Sequence, residues 1–171
     1  NKHQGGKLYL HLRRRGRRYR KRGALYQNRG HIKHRIDIDE RPDIVEERSR
    51  VGDWEIDSIV GKHHKGIIVS MVERKTRFTK LAKLECAKAT GVAIAMVRKL
   101  WCFKGYVLSI TSDNGKEFAN HCHVSNALNT AFFFAKPYSA WQRGTNENTN
   151  GLVRQYLQKG TDFSTVTHKQ V

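Results

Sequence analysis

Three short, closely spaced runs of the chain have hydrophobic patterns that are typical of β-strands. Residues 54–60 alternate between Gly52 and Gly61, which predicts a β-strand. Residues 66–72 are almost all β-forming and predict a central strand that is covered on both faces. Residues 78–84 alternate more loosely and carry lysines, which is typical of a strand at the edge of a sheet. The short spacing of the three runs predicts that they pair as hairpins.

The hydrophobic pattern then changes to a helical period. Val92, Met96 and Leu100 recur at helical spacing, which predicts a helix with Thr90 as its N-terminal cap. The elements that follow are a predicted strand at 106–112, a helix at 115–129, a strand at 131–135 and a helix at 145–157. The order βββαβαβα predicts an α/β fold, in which a mixed sheet carries helices on its faces.

The composition predicts a soluble globular protein with an extreme charge. The 171 residues include 33 Lys and Arg against 15 Asp and Glu, a formal net charge of +18, and 38% are hydrophobic. This length suffices for one domain with a hydrophobic core, and neither a membrane-spanning run nor a signal-peptide pattern is found. The three cysteines, Cys86, Cys102 and Cys122, have no CxxC spacing. We therefore expect buried or chemically idle thiols rather than disulfides or zinc ligands.

The positive charge is concentrated near the N-terminus. Residues 1–35 contain thirteen Lys and Arg, no acidic residue and five glycines. Repulsion among these charges predicts an extended basic arm that binds the phosphates of a nucleic acid. A solvated tail and an arm that docks on a partner protein are the weaker alternatives. The residues of the arm that we assign to DNA binding are Arg13, Arg14, Arg15, Arg17, Arg18, Arg20, Lys21 and Arg22.

The negative charge is concentrated directly after the arm. Nine of the fifteen acidic residues lie between positions 37 and 57, and we expect most of them to form a solvated face that restrains the arm. A short helix is predicted over 40–50, with Asp39 as its cap and Pro42 in its first turn. The composition thus predicts a basic arm at 1–35, an acidic linker with a short helix at 36–51 and a folded core at 52–171.

Three carboxylates differ from the other acids in position. Asp57 lies within the apolar strand 54–60, Asp113 follows the strand 106–112, and Glu147 belongs to the last predicted helix. A buried charge is costly without a partner, and neighbouring carboxylates resist ionising together unless a cation lies between them. Three oxygen ligands without a His or Cys pair favour Mg²⁺ or Mn²⁺ over zinc. Taken alone, Asp113 is equally typical of a turn residue or a helix cap.

Other residues carry weaker signals. The histidine pairs at 31 and 34, 63 and 64, and 121 and 123 lack zinc-finger spacing, so we expect them in loops and on the surface. Trp141 is expected either to stack on a displaced base or to pack beneath the last helix.

Motifs along nearly the whole chain resemble one known family. The most specific is the run 137–148, Pro-Tyr-Ser-Ala-Trp-Gln-Arg-Gly-Thr-Asn-Glu-Asn. The others are the Arg-rich run that ends at 19–23, Asp-Glu-Arg-Pro at 39–42, Gly-Asp-Trp-Glu-Ile-Asp at 52–57, Val-Glu-Arg-Lys-Thr-Arg at 72–77 and Ser-Asp-Asn-Gly-Lys-Glu at 112–117. With these motifs the chain resembles the catalytic core of DDE-type bacterial transposases, specifically the insertion-sequence-thirty family. The resemblance implies the ribonuclease H-like fold of retroviral integrases.

The resemblance also implies an active site. The family's three catalytic acids, which bind the metal, fall on Asp57, Asp113 and Glu147, and 33 residues separate the last two, as in the family. The implied cofactor is a pair of Mg²⁺ (or Mn²⁺) ions. The implied reaction is metal-dependent cleavage of DNA at transposon ends, followed by strand transfer into target DNA.

Supporting residues and partners follow from the same resemblance. Glu117 and Asn146 are expected to orient the metal ligands, and Lys116 and Arg143 to contact DNA phosphate. The implied partners are transposon-end DNA, target DNA and further copies of the chain. The expected location is the bacterial cytoplasm, on chromosomal DNA.

Two other functions share parts of this pattern. A non-catalytic DNA-binding remnant would keep the arm and part of the fold, whereas a nonspecific ribonuclease H-like nuclease would keep the metal site. The resemblance stops short of the family's N-terminal helix-turn-helix region and of its terminal helices. We therefore expect a chain that is truncated at both ends, with the core at 52–171 incomplete at its C-terminal end.

Overall fold

The chain divides into two compact units, Asn1–His31 and Ile32–Val171. The computed structural model describes residues 5–11, 32–137 and 139–171. In the first unit the described residues include a 3₁₀ helix at Leu8–His11. The second unit includes the predicted acidic linker at 36–51 as well as the predicted core.

Six strands of the second unit form one mixed sheet in the order β1-β6-β5-β2-β3-β4. The strands are β1 (Ile36–Asp37), β2 (Asp53–Val60), β3 (Ile67–Glu73), β4 (Thr79–Leu84), β5 (Ser109–Ser112) and β6 (Ala131–Phe134). Strands β2, β3 and β4 pair antiparallel as the predicted hairpins. Strand β5 pairs in parallel with both β2 and β6, and β1 pairs in parallel with β6. The predicted mixed α/β sheet is confirmed, and β1 is an additional two-residue strand at the edge opposite β4.

Four α-helices accompany the sheet in the described residues. They are α1 (Asp43–Glu47), α2 (Ala89–Leu100), α3 (His121–Leu128) and α4 (Gly144–Tyr156). Together with the strands they reproduce the order βββαβαβα over residues 53–156. Helix α4 is the longest of the four, and its first turn carries Glu147.

Both predicted helix caps are wrong. Helix α2 begins at Ala89, so Thr90 already lies inside its first turn, and the residue before the helix makes no side-chain cap. Asp39 lies inside a 3₁₀ helix at Ile38–Glu40, which is capped by Asp37, and α1 follows Pro42. A capping side chain must stand directly before the first helical residue. Thr90 lies too late to cap α2, and Asp39 lies too early to cap α1.

Two predicted element boundaries are also wrong. The helix predicted over 115–129 divides into a 3₁₀ helix at Lys116–Phe118 and α3, because Asn120 leaves the helical region at φ −94 and ψ 30. The strand predicted from Tyr106 begins only at Ser109, since Trp101–Tyr106 continues α2 as a 3₁₀ helix.

One face of the sheet is apolar and packs against α2 and α3. Trp54 and Ile56 of β2 lie in a buried cluster with Met96 of α2 and Leu128 of α3, and all four side chains are at most 3% exposed. Burying a large apolar side chain contributes roughly 1.5–3 kcal/mol. This cluster of eighteen buried residues therefore provides most of the hydrophobic stabilisation of the unit.

The opposite face of β2 changes from polar to apolar along the strand. Alternation places Glu55, Asp57 and Ile59 on this second face, where α4 packs on β2 and β3. Ile59 belongs to a smaller apolar cluster that is closed by Phe163 of the C-terminal segment. Phe163 lies directly on Gly66, where an added Cβ would come within 2.8 Å of the Phe163 Cβ. The polar end of this face, which α4 covers, contains the candidate site.

Three sequence predictions about burial are wrong in part. Asp53 and Glu55 are 1% and 0% exposed, so they do not belong to a solvated acidic face. Cys86, Cys102 and Cys122 are free thiols and exposed rather than buried. His121 is buried against the rings of β6, and its Nε2 lies 3.0 Å from the carbonyl oxygen of Lys33.

Membrane-spanning helices are not found in the described ranges, where every helix is too short or too polar to cross a bilayer.

Candidate active site

Asp57 is held on β2 by two hydrogen bonds. Its side chain is 23% exposed, and its Oδ1 accepts a hydrogen bond from the backbone N–H of Ser58 at 2.9 Å. Its Oδ2 accepts a hydrogen bond from Asn150 Nδ2 of α4 at 3.0 Å. Strand β2 therefore presents the carboxylate, and α4 helps to orient it.

Asp113 reaches the same place from the next parallel strand. Because β2 and β5 run in parallel with Glu55 opposite Thr111, Asp113 leaves the sheet on the same edge as Asp57. Its Oδ1 accepts a hydrogen bond from the N–H of Gly115 at 2.9 Å, which closes the turn after β5. The side chain is 40% exposed, so this carboxylate faces solvent more than Asp57 does.

The guanidinium of Arg143 lies against both carboxylates. Arg143 Nη1 lies 3.2 Å from Asp57 Oδ2, and Arg143 Nη2 lies 3.8 Å from Asp113 Oδ2. The side chain of Arg143 is only 14% exposed. It extends from the 3₁₀ helix at Ala140–Arg143, immediately before α4. The sequence predicts that Arg143 contacts DNA phosphate, whereas in the structure its charge lies against the two carboxylates.

The pKa values of both aspartates are raised. Burial is the largest cause for Asp57 and Asp113, because it disfavours the charged form. Arg143 opposes this effect and lowers both pKa values. Neighbouring carboxylates raise the pKa of each aspartate further. Two partly buried carboxylates share the single positive charge of Arg143, so one negative charge is left uncompensated. The site therefore favours binding of a cation.

Glu117 and Lys116 lie beside this pair. Glu117 Oε1 accepts a hydrogen bond from Ser58 Oγ at 2.6 Å, and its negative charge raises the pKa of both Asp57 and Asp113. Lys116 is exposed in the same 3₁₀ helix. Glu117 therefore lies near the two carboxylates, and the roles expected for Glu117 and Lys116 stay predictions.

Glu147 is not joined to the two aspartates. It is exposed in the first turn of α4, one residue beyond the buried Asn146. Among the residues that the structure describes, no three His, Cys, Asp or Glu side chains are grouped closely enough to hold a metal ion. The structure brings Asp57 and Asp113 together, and the shared metal site with Glu147 stays a prediction.

Asn146 is a buried structural residue. It is 0% exposed, its backbone N–H donates to Glu55 Oε2 at 2.8 Å, and its side-chain amide lies 2.8 Å from Ser70 Oγ. These contacts join α4 to β2 and β3. The sequence analysis expected Asn146 to orient metal ligands, and its contacts in this structure are to the sheet instead.

Three residues of the site were missed by the sequence analysis. Asn150 contacts Asp57 directly, Ser70 Oγ lies 2.7 Å from Asn150 Oδ1, and Glu55 holds the start of α4. Because Asn150 Nδ2 already donates to Asp57, its Oδ1 is free to accept the single hydroxyl proton of Ser70. Spacing on β2 was the one available signal, since Glu55 shares a face with Asp57.

The predicted DNA-binding residues of the arm lie outside the described residues. They are Arg13, Arg14, Arg15, Arg17, Arg18, Arg20, Lys21 and Arg22. Trp141 is 74% exposed, so it does not pack beneath α4.

The chain is similar to bacterial transposases over its whole length. It is 52% identical over 171 residues to the transposase for insertion sequence element IS4351 of Bacteroides fragilis, covering all of this chain and 52% of that protein. It is 34% identical over 164 residues to transposase InsI for insertion sequence element IS30A of Escherichia coli, covering 94% of this chain and 42% of that protein. The chain thus spans about half the length of the curated relatives that it matches. No protein-family model matches it.

Solved structures of retroviral integrases share the fold. A simian T-cell lymphotropic virus intasome in complex with the PP2A regulatory subunit B56 gamma matches with a TM-score of 0.55 and 19% identity, covering 81% of this chain and 46% of that one. The catalytic core domain of BIV integrase matches with a TM-score of 0.51 and 22% identity, covering 62% and 68%. Both confirm the ribonuclease H-like fold that the resemblance implied.

Transposases and integrases act on DNA and generally use divalent metal ions. Asp57 and Asp113 are suitable ligands for a divalent ion, because carboxylate oxygens are hard donors. Both already lie close to one positive charge, that of Arg143. By sequence the chain is similar to insertion-sequence transposases over about half of their length, and its fold is shared with solved retroviral integrase structures.

Proposed function

We propose that this chain is the catalytic core of a DDE-type transposase, which cleaves DNA at transposon ends and transfers the cut strand into target DNA. The observation that carries the proposal is the pairing of Asp57 and Asp113 around one positive charge, from two adjacent parallel strands. This pairing occurs in a chain that is 52% identical to a transposase. A purely structural ion pair explains the contact with Arg143 but not the presence of two carboxylates side by side on the central strand β2 and at the end of β5.

Asp57, Asp113 and Glu147 are the residues that would hold divalent cations. Mg²⁺ or Mn²⁺ would supply activation of the attacking hydroxyl and stabilisation of the leaving oxygen. Asn150 orients Asp57 through its 3.0 Å hydrogen bond, and the Gly115 N–H orients Asp113. Glu147 lies in the first turn of α4, so the position of this helix on the sheet would determine how the third carboxylate is presented to the metal.

DNA contacts are assigned to basic residues on two parts of the chain. The eight basic residues between Arg13 and Arg22 would bind phosphates without choosing sequence, which predicts strong dependence on salt. Lys116 is exposed beside Asp113 and would contact the phosphate backbone near the cleaved bond. We also propose that the active form contains several copies of the chain on paired DNA ends.

Nicking of labelled transposon-end DNA tests this proposal. The wild-type chain is expected to nick the DNA in the presence of Mg²⁺ and not in the presence of EDTA, whereas Asp113→Asn is expected to bind the DNA without nicking it. Asp43→Asn is a matched control, because Asp43 is an exposed aspartate in the first turn of α1. It should nick at the wild-type rate.

Three outcomes contradict the proposal. Binding without metal-dependent nicking by the wild-type chain identifies a non-catalytic DNA-binding remnant. Nicking with no preference for transposon ends over random DNA identifies a nonspecific nuclease. Equal activity of Asp113→Asn and the wild type removes Asp113 from the site.

A further inference from the structure

Helix α4 begins without a cap from its own neighbouring residues. Arg143 occupies the cap position and makes no side-chain hydrogen bond to the helix. The first N–H groups of a helix lack partners inside the helix and attract negative charge. Here the partner comes from the sheet, because Glu55 Oε2 accepts the N–H of Asn146 at 2.8 Å. The two residues are 91 positions apart in the sequence.

Glu55 is completely enclosed. Its side chain is 0% exposed, and its second oxygen, Oε1, lies 3.3 Å from Nη1 of Arg74, which is 1% exposed. A carboxylate in this position cannot touch DNA or solvent, and its burial is costly unless both oxygens have partners. Arg74 and the N-terminus of α4 are those partners.

Arg74 is fixed in turn by residues that precede the core. Its Nη2 lies 3.0 Å from Glu46 Oε2 of α1, and the same oxygen binds Arg41. Arg41 also donates to Thr111 Oγ1 of β5 at 3.1 Å. A chain of charged side chains thus runs from residues 41–46, across the second face of the sheet, to the start of α4.

We infer that Glu55 is a positioning residue for the active site: it fixes where α4 begins and so where Arg143 and Glu147 lie. The inference rests on the proposed function. Asn146 is one residue from Glu147 and three residues from Arg143, so a displacement of its backbone moves both. Glu55 is itself two residues from Asp57 on β2. Strand β2 therefore carries Asp57 directly and, through Glu55, fixes the position of α4, which carries Glu147.

Hydrogen exchange in the full chain tests the inference without any requirement for activity. The measured quantity is the exchange rate of the Asn146 amide relative to that of Ile56, a central residue of β2. Glu55→Ala is expected to raise this ratio about tenfold, because the amide loses a hydrogen bond to a charged acceptor. Glu55→Gln keeps a weaker, uncharged acceptor and should raise the ratio roughly threefold.

Glu73 offers the matched control. It is a second enclosed carboxylate, 2% exposed on β3. It accepts hydrogen bonds from the N–H groups of Gly52 and Thr76, which belong to the end of the sheet and not to α4. Glu73→Ala and Glu73→Gln should leave the exchange ratio at its wild-type value, even where they lower overall stability.

Kinetics supply the second measurement. In DNA nicking, Glu55→Ala is expected to lower kcat by at least about tenfold and to leave KM for DNA near the wild-type value, since Glu55 is inaccessible to DNA. Glu55→Gln should restore part of kcat. If Glu55 acted only through stability, Glu55→Ala would lower kcat by lowering the folded fraction. Glu73→Ala would then lower kcat in the same way.

The inference is overturned if Glu55→Ala leaves the Asn146 exchange ratio unchanged, or if Glu73→Ala changes it equally. If Glu55→Ala does not fold, the Asn146 exchange ratio is compared between Glu55→Gln and Glu73→Gln. Equal ratios in these two variants overturn the inference. Absence of nicking by the wild-type chain would remove the proposed function alone, because the exchange ratio still tests whether Glu55 fixes α4.

Discussion

Arg143 places its guanidinium 3.2 Å from the carboxylate of Asp57, although the two residues are 86 positions apart. The same guanidinium lies 3.8 Å from Asp113. It is the main opposing influence on the raised pKa of each aspartate. Arg143 thus stabilises the charged forms of two carboxylates that burial disfavours, and the site depends on it electrostatically.

Substitution Arg143→Gln is expected to raise the pKa values of Asp57 and Asp113 further, because the positive charge is lost and burial remains. NMR titration of the carboxyl carbons would measure both pKa values. The free energy of unfolding near neutral pH should fall by about 1–2 kcal/mol. Arg154→Gln is the control, since Arg154 lies on α4 but donates to the carbonyl oxygen of Val60 at 3.0 Å. Unchanged aspartate pKa values in Arg143→Gln would contradict the prediction.

Substitution Asn150→Ala is expected to free the carboxylate of Asp57 and to remove a partner of the buried Ser70 hydroxyl. The stability should fall by about 1–2 kcal/mol, measured by urea unfolding, and the rate of DNA nicking should fall with little change in DNA affinity. Asn148→Ala is matched in residue type and helix, but Asn148 is exposed. Equal effects of the two substitutions would refute the role of Asn150.

His121 is expected to make the stability sensitive to mild acid. Burial lowers the pKa of His121 below the ordinary histidine value of 6.5, with a further contribution from His34, so the native state favours the neutral ring. The unfolded state then binds more protons, and stability is fully present above pH 6.5 and is lost as pH falls through the lowered pKa. Thermal unfolding at pH 7.5 and pH 5 should show a smaller loss of Tm for His121→Phe than for the wild type.

The exposed neighbour His123 provides the comparison for this measurement. His123→Gln should retain the wild-type difference in Tm between the two pH values. If His121→Phe retains that difference too, the buried ring is not its source.

Substitution Phe163→Ala is expected to cost about 3–5 kcal/mol in the free energy of unfolding. The ring is fully buried over the turn between β2 and β3, and its removal leaves a cavity against Ile59 and Ile68. Tyr156→Ala removes an aromatic ring that is 87% exposed and should change stability by less than about 0.5 kcal/mol. A similar small effect for Phe163→Ala would show that the C-terminal segment is not docked in solution.

The order of the elements and two of the acids were predictable from sequence. Strand β2 alternates from Trp54 to Asp57, and the turn after β5 contains Asn-Gly, so Asp57 stands in a period-two pattern and Asp113 directly after a strand. Parallel pairing of β2 and β5 then brings them to one edge of the sheet. Local patterning is sufficient for the order of the elements, whereas the meeting of the two acids depends on pairing between strands that are far apart in the sequence.

The role of Glu55 was not predictable in this way. An acidic residue on an alternating strand is predicted to face solvent. Glu55 is enclosed only because Asn146, 91 residues later, packs on it. His121 is similar, because its burial depends on the rings of β6 and on the carbonyl oxygen of Lys33. The predicted caps of α2 and α1 were wrong because each helix begins elsewhere: α2 starts one residue before Thr90, and α1 starts four residues after Asp39.

The long sequence separation of the α4 contacts has a consequence for synthesis of the protein. The hydrogen bonds from α4 to Glu55 and Asp57 span 91 and 93 residues. At about 5–20 residues per second, a ribosome needs roughly 5–20 s to proceed from one partner to the other. During that interval Glu55, Asp57 and Ser70 lack their partners from α4. Translation that stops before Gly144 gives a product without α4 and therefore without Glu147. Truncated messages thus yield chains that lack the third predicted acid.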